Sequence, residues 1–257
     1  MNNPGSWYPK PTNPKEKAEQ LFGHCFEVTR FEEGDKIPVG GESIFSTETD
    51  IKITGDFENF KDFFEQVNEM ASKYDLPKLK EWLVSQGIEI DEKIFAKLLA
   101  FTKKFEQQYP HNSEGGQTRK KLYTEQGTEL KLSDIFRVNS AECAEISALA
   151  QDYLQNAGIS STYFSGDVLW DRDSEFSEEH SFIVIRQGKK IYLYDPTNPL
   201  GTNQGTFPSI YTTEANFDEE MRKNKKRFIT ARNILSKKEA FYGVNDGTNV
   251  DAERHIV

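Results

Sequence analysis

The sequence predicts an α+β fold in which one helix packs on an antiparallel sheet, preceded by a mainly helical N-terminal region. Three observations carry this expectation. Apolar residues recur at helical spacing through residues 58–110, near-alternating β segments around one helix take over beyond residue 118, and a Ser-Glu-Gly-Gly stretch separates the two patterns. A chain of 257 residues can bury a sizeable core, and its 19 Phe and 10 Tyr supply large apolar areas. The expected organisation is a mainly helical region with short β segments over 1–110, a linker or loop over 111–118, an α+β core over 119–242, and a polar, flexible tail over 243–257.

The elements follow in order. Asn13, Pro14 and Gly23 bracket a short first helix. Short β-like runs from Phe26 to Thr54 are broken by Gly34, Pro38, Gly40 and Gly41. Phe60, Phe63, Phe64, Val67, Met70, Ala71 and Tyr74 step by threes and fours, the stripe of an amphipathic helix. Pro77 opens a second helix that Gly87 ends, and Asp91 caps a third that Pro110 stops.

Composition excludes several classes. The net charge of −10 disfavours a phosphate backbone as partner, and the basic cluster Arg222, Lys223, Lys225, Lys226 and Arg227 reads as a solvated helix face. No apolar stretch is long enough to span a bilayer or to serve as a signal, so a soluble cytoplasmic protein without membrane association is expected; leaderless export stays compatible with this. Two cysteines, Cys25 and Cys143, provide neither a disulfide framework nor a Cys-rich zinc site. No cofactor or metal is assigned, and nothing in these patterns encodes an oligomeric state.

Chemistry gathers between residues 139 and 199. Asn139 and Glu142 stand three apart ahead of an apolar-periodic run, which predicts a helix capped by Asn139 with Glu142 reaching back. Cys143 then falls in or just after the first turn, where unpaired N–H groups and the helix dipole favour a thiolate, the species that attacks a carbonyl. Cys143, Ile146, Leu149, Ala150 and Tyr153 share a face, so the thiol should look at the sheet. Gly158 terminates the helix, and Ser161–Gly166 reads as a strand.

Two further strands, His180–Arg186 and Lys189–Asp195, flank Gln187-Gly188. If those two residues make a tight turn, Arg186 faces Lys189, and counting outward sets His180 opposite Asp195 on one face. Phe182, Val184, Ile191 and Leu193 share that face and are expected to receive the helix presenting Cys143, while Ile183, Ile185, Tyr192 and Tyr194 bury the other. In this geometry Cys143 is a nucleophile, His180 takes its proton and returns one to the leaving group, and Asp195 orients the imidazole. Taken singly, each has an ordinary reading: a buried small hydrophobe, a structural histidine, a strand-ending turn. The joint pattern singles them out.

Cys143-Ala-Glu-Ile-Ser-Ala-Leu-Ala-Gln-Asp-Tyr-Leu-Gln-Asn-Ala-Gly-Ile159, Gly166, His180-Ser-Phe-Ile-Val-Ile and Tyr194-Asp-Pro-Thr-Asn-Pro199 together resemble the core of transglutaminase-like proteins, over about Arg137 to Pro199. The resemblance implies a papain-like fold with Cys143, His180 and Asp195 as the triad. It also implies that the Cys143 N–H serves in an oxyanion hole, with a second donor upstream for which Gln126 and Asn139 are candidates. Ala141 and Ala144 stand where protein-crosslinking transglutaminases typically carry Gly and Trp, and Phe182 where they carry Trp, so transfer to protein lysines is not implied. The superfamily also includes proteases, peptide amidases, deamidases and inactive members.

The expected function is therefore cysteine-dependent acyl transfer or hydrolysis at a glutamine side chain or peptide amide. The substrate would be a protein or peptide, with or without an amine acceptor. The alternatives are a protease or deamidase releasing to water only, and a noncatalytic binding module. An acidic loop with Asp167, Asp171, Asp173, Glu175, Glu178 and Glu179, together with Trp170 and Phe176, leads into His180 and should border the site. Its ordinary reading is a solvated loop; its charge would favour a cationic amine or basic peptide. Asp171, Asp173 and Glu175 also fit the opening of an EF-hand, but Phe176 and Phe182 replace the required Gly and Glu. Trp170 and Phe182 join Asn139 and Gln126 as candidate substrate contacts.

Overall fold

A computed structural model describes residues 18–21, 25–37, 52–110, 114–127, 129–174, 177–203, 205–223, 226–245 and 255–256. Four short strands come first, β1 (Ala18–Gln20), β2 (Phe26–Val28), β3 (Lys36–Ile37) and β4 (Lys52–Thr54). After a 3-10 turn at Phe57–Phe60 come the helices α1 (Lys61–Ser72), α2 (Leu76–Ser85), α3 (Glu92–Gln108) and α4 (Gly115–Gln126). Strand β5 (Glu129–Lys131) leads to α5 (Leu132–Arg137) and α6 (Cys143–Asn156). Then follow β6 (Ser161–Leu169), β7 (Glu178–Gln187), β8 (Lys190–Thr202), β9 (Gly205–Thr212), α7 (Phe217–Lys223), β10 (Lys226–Asn233), β11 (Glu239–Asn245) and β12 (His255–Ile256).

The helical half follows its caps. Asp75 accepts from Lys78 N, with Pro77 in the first turn of α2, and Asp91 accepts from the N–H groups of Lys93 and Ile94 to start α3. Elsewhere local patterns mislead. Ala18–Gln20 is a strand; Asn13, Pro14 and Gly23, on which a first helix rested, lie outside the described residues. The segment read as a linker becomes α4 from Gly115 onward, a helix without a strong apolar stripe. The side chains of the basic cluster at 222–227 lie outside the described residues. Gly243 to Asn245, read as the start of the tail, belong to β11, and His255–Ile256 pair in parallel with β10.

The fold expectation itself is overturned. In place of a papain-like helix on an open sheet, β6, β11, β10, β9, β8 and β7 run antiparallel in that order, and β6 pairs with β7 to close a six-stranded barrel. Closure removes both free edges. The contacts that achieve it join Asp167–Leu169 to Phe241–Gly243, a pairing too distant in sequence for local patterning to announce. Strand β2 extends the sheet from the other half of β6, and β3, β4 and β5 form a separate small sheet.

Closure also decides which face of the central hairpin meets the helices. Phe164, Phe182, Val184, Leu193, Tyr211, Ile229, Ala231, Ala240, Tyr242 and Val244 come from all six barrel strands and form one cluster, which can only be the barrel interior. The opposite face, with Tyr163, Ile183, Ile185, Tyr192 and Tyr194, packs in the same cluster as Ala148, Leu149, Ala150 and Tyr153 of α6 and the apolar faces of α1 and α3. The expectation that the Phe182 face receives α6 is thus reversed. Both faces of these strands are apolar, so alternation marks two buried sides without saying which one looks inward.

Candidate active site

Cys143 is the first residue of α6 and is partly exposed. The capping box lies three residues beyond the expected one: the Glu142 carboxylate accepts from the Glu145 backbone, and Glu145 Oε2 accepts from Glu142 N at 2.8 Å. Asn139 instead adopts a left-handed φ of 50° and its N–H closes the end of α5 onto Phe136 O. A buried partner accounts for the later box. Arg119 of α4, only 3% exposed, places its guanidinium 2.5 and 3.1 Å from the two carboxylate oxygens of the fully buried Glu145, and donates to Ser140 O. As N1 of the helix, the Cys143 N–H has no intrahelical acceptor and points with the positive end of the dipole.

His180 and Asp195 come from adjacent barrel strands. The β7–β8 turn is Gly188-Lys189, with Gly188 at φ 62°, so Gln187 faces Lys190 and the register runs two residues beyond the expected one. A shift of two keeps every side chain on its face, and His180 and Asp195 still meet: His180 Nε2 is 2.8 Å from Asp195 Oδ2. Asp195 is held in turn. Its Oδ1 accepts from the backbone N–H groups of Thr197 and Asn198, and its Oδ2 from Asn198 Nδ2. These donors lie on the irregular stretch of β8 between Asp195 and Leu200, where the register with β9 shifts.

The electrostatics suit an ionised pair. Burial opposes charge on His180, but the Asp195 carboxylate outweighs it and, with a contribution from hydrogen bonding to the Cys143 sulfur, pushes the imidazole up to about 10. Burial pushes Asp195 towards protonation, yet His180, Asn198 and Thr197 hold it below the usual carboxylate range. With Nε2 engaged by Asp195, Nδ1 is the nitrogen left for the thiol. Ser147 of α6 donates to Ser181 O at 2.9 Å, tying the helix that carries Cys143 to the strand that carries His180.

Cys143 and His180 line one cleft of about 890 Å³ between the end of α3, the α5–α6 junction, the β6–β7 connection and the Pro196–Pro199 stretch. Trp170, 36% exposed, stands edge-on to the His180 ring at 5.5 Å, and Phe105, Tyr109, Phe136 and Ile146 add apolar walls. Glu106, Glu142 and Glu178 supply its carboxylates. Of the expected contacts, Asn139 and Trp170 line the cleft. Gln126 sits exposed at the end of α4, away from the cleft lining. Phe182 is fully buried inside the barrel, packed on Phe164 and Tyr242, and does not line the cleft. Of the acidic loop, Glu178 lines the cleft and accepts from the Trp170 indole; Glu175 and Phe176 lie outside the described residues. Asn198, Arg119 and Tyr242 escaped sequence reasoning, and only Asn198 had a local signal, an Asp-x-x-Asn spacing suited to side-chain-to-backbone turns.

No protein-family model matches the chain, and no curated protein matches it. Among the described residues, no helix is long and apolar enough to cross a membrane.

Proposed function

We propose that this chain is a cysteine acyltransferase or amidohydrolase acting on a glutamine side chain or peptide amide through a thioester on Cys143. The observation that carries the reading is the buried His180–Asp195 pair, with Cys143 and His180 lining a single cleft. The order Cys, His, Asp along the sequence, similar to that of transglutaminase-like proteins, supports it further. The Cys143 sulfur adds to the amide carbon, and the new oxyanion is held at the free N–H groups of the first turn of α6. His180 then protonates the departing nitrogen as the C–N bond breaks. Water or a primary amine, deprotonated by His180, resolves the thioester to an acid or to a new amide.

The test is mass spectrometry of a glutamine-containing peptide incubated with and without a primary amine. An amine adduct identifies transfer, conversion of Gln to Glu identifies deamidation, and shortened peptides identify cleavage. Cys143→Ala should abolish whichever product forms while altering stability by less than about 1 kcal/mol, because the thiol is partly exposed. Product formation that survives this substitution would exclude the thioester; absence of product and of any acyl adduct on the wild-type protein would favour a binding module.

A further inference from the structure

Among the described residues, the mechanism above leaves one buried cation unused. Arg119 reaches from α4 to the turn that presents Cys143, and its five N–H donors are nearly all committed, most of them there. Nε donates to Tyr123 at 2.7 Å, the two terminal nitrogens hold Glu145, one of them also donates to Ser140 O, and the same nitrogen is 3.5 Å from Glu142. Ser140 and Glu142 line the cleft beside Cys143. Glu145 Oε2 is shared, taking Arg119 on one side and the Glu142 N–H on the other. The guanidinium therefore joins the approach to α6, its N-cap and its third residue into one unit. It also offsets one of two carboxylates that would otherwise repel negative charge developing at the first turn.

We propose that Arg119 is a positioning residue for acyl transfer at Cys143: through Glu145 and Ser140 it fixes the first-turn N–H groups that hold the oxyanion. This rests on the thioester reading of the site. A lysine cannot substitute, because a point charge cannot span both oxygens of Glu145 and the Ser140 carbonyl at once. A merely structural salt bridge would affect the amount of folded protein and leave the folded fraction competent.

Two reactions of Cys143 separate these roles. Acylation by p-nitrophenyl acetate passes through a tetrahedral oxyanion, whereas alkylation by iodoacetamide does not. The informative variant is R119Q/E145Q, which leaves no buried charge unpaired and keeps a carbonyl at position 145 to accept from Glu142 N. Acylation of folded R119Q/E145Q and of R119K is expected to fall by about tenfold or more, with alkylation within about threefold of wild type. E145Q alone, retaining the guanidinium and its link to Ser140, should acylate faster than either. Acylation and alkylation falling together, or both staying near wild type, would overturn the positioning role. Wild-type protein that takes no more acetyl group than Cys143→Ala would overturn the thioester reading, and this proposal with it.

Discussion

Asp195 acts through its charge as well as its hydrogen bonds, since its carboxylate is the chief support for a charged His180 in a buried setting. Asp195→Asn keeps the size and an oxygen for Thr197 and Asn198 but removes that charge, so on the proposed thioester chemistry kcat is expected to fall by roughly 10²- to 10⁴-fold. The same substitution separates the pair's contribution to stability. His180 has a folded pKa above its unfolded value, so its contribution is complete below about 6.5 and is lost as pH rises through about 10. Asp195 has a lowered folded pKa, so its contribution is complete above about 3.9 and is lost as pH falls through the lower folded value. The difference in melting temperature between wild type and Asp195→Asn should therefore be greatest between about pH 4 and 6.5 and shrink towards pH 10. A difference that stays flat across that range would show an un-ionised pair. The three proposed reacting residues were legible because their residue types stand at a helix start, near a strand start and where a strand's pairing turns irregular. Arg119 was not, since an arginine in a polar stretch reads as surface until the fold closes over it.

Elements were legible where one local pattern dominated and ambiguous where two overlapped. The Asn139–Glu142 and Glu142–Glu145 spacings both describe a capping box, and only the buried Arg119 decides for the second. Likewise, either Gln187-Gly188 or Gly188-Lys189 makes a two-residue turn, and the face assignment survives because the two registers differ by an even number. Gly166 shows how closely the strands around the site are packed. It pairs with His180 across β6 and β7, and a Cβ there would overlap the Gly243 carbonyl oxygen and the Phe164 ring. Neither obstacle is the free end of a flexible chain, so Gly166→Ala must part β6 from β11 directly opposite His180. The expected cost is about 1–3 kcal/mol, read as a lower denaturation midpoint with an unchanged m-value. Because the strain falls beside His180, activity of the folded variant should fall too. A full-strength midpoint would mean that β6 and β11 can separate without penalty.

At the scale of the whole molecule, the site depends on a closure between β6 and β11, strands that carry none of Cys143, His180 and Asp195. Tyr242 of β11 packs on Phe182 at 4.8 Å, on Tyr211 at 5.2 Å and near the His180 ring at 6.5 Å, so the last barrel strand forms part of the wall behind the histidine. In an open sheet a C-terminal strand would be an edge whose loss is local. In a closed barrel its removal exposes two edges and the interior together. Deleting residues 239–257 leaves Cys143, His180 and Asp195 in the chain, yet it removes Ala240, Tyr242 and Val244 from the interior and unpairs Asp167–Leu169. The truncated chain is expected to melt without a cooperative transition and to lose preferential alkylation of Cys143 over Cys25. Hydrogen exchange on the full chain gives the complementary measurement. The amides of β6 that face β11 should be protected as strongly as those of the β7–β8 hairpin, because both belong to one cooperative ring. Fast exchange along that edge alone, with the hairpin still protected, would show the barrel opening independently of the site and would make β11 dispensable for holding His180.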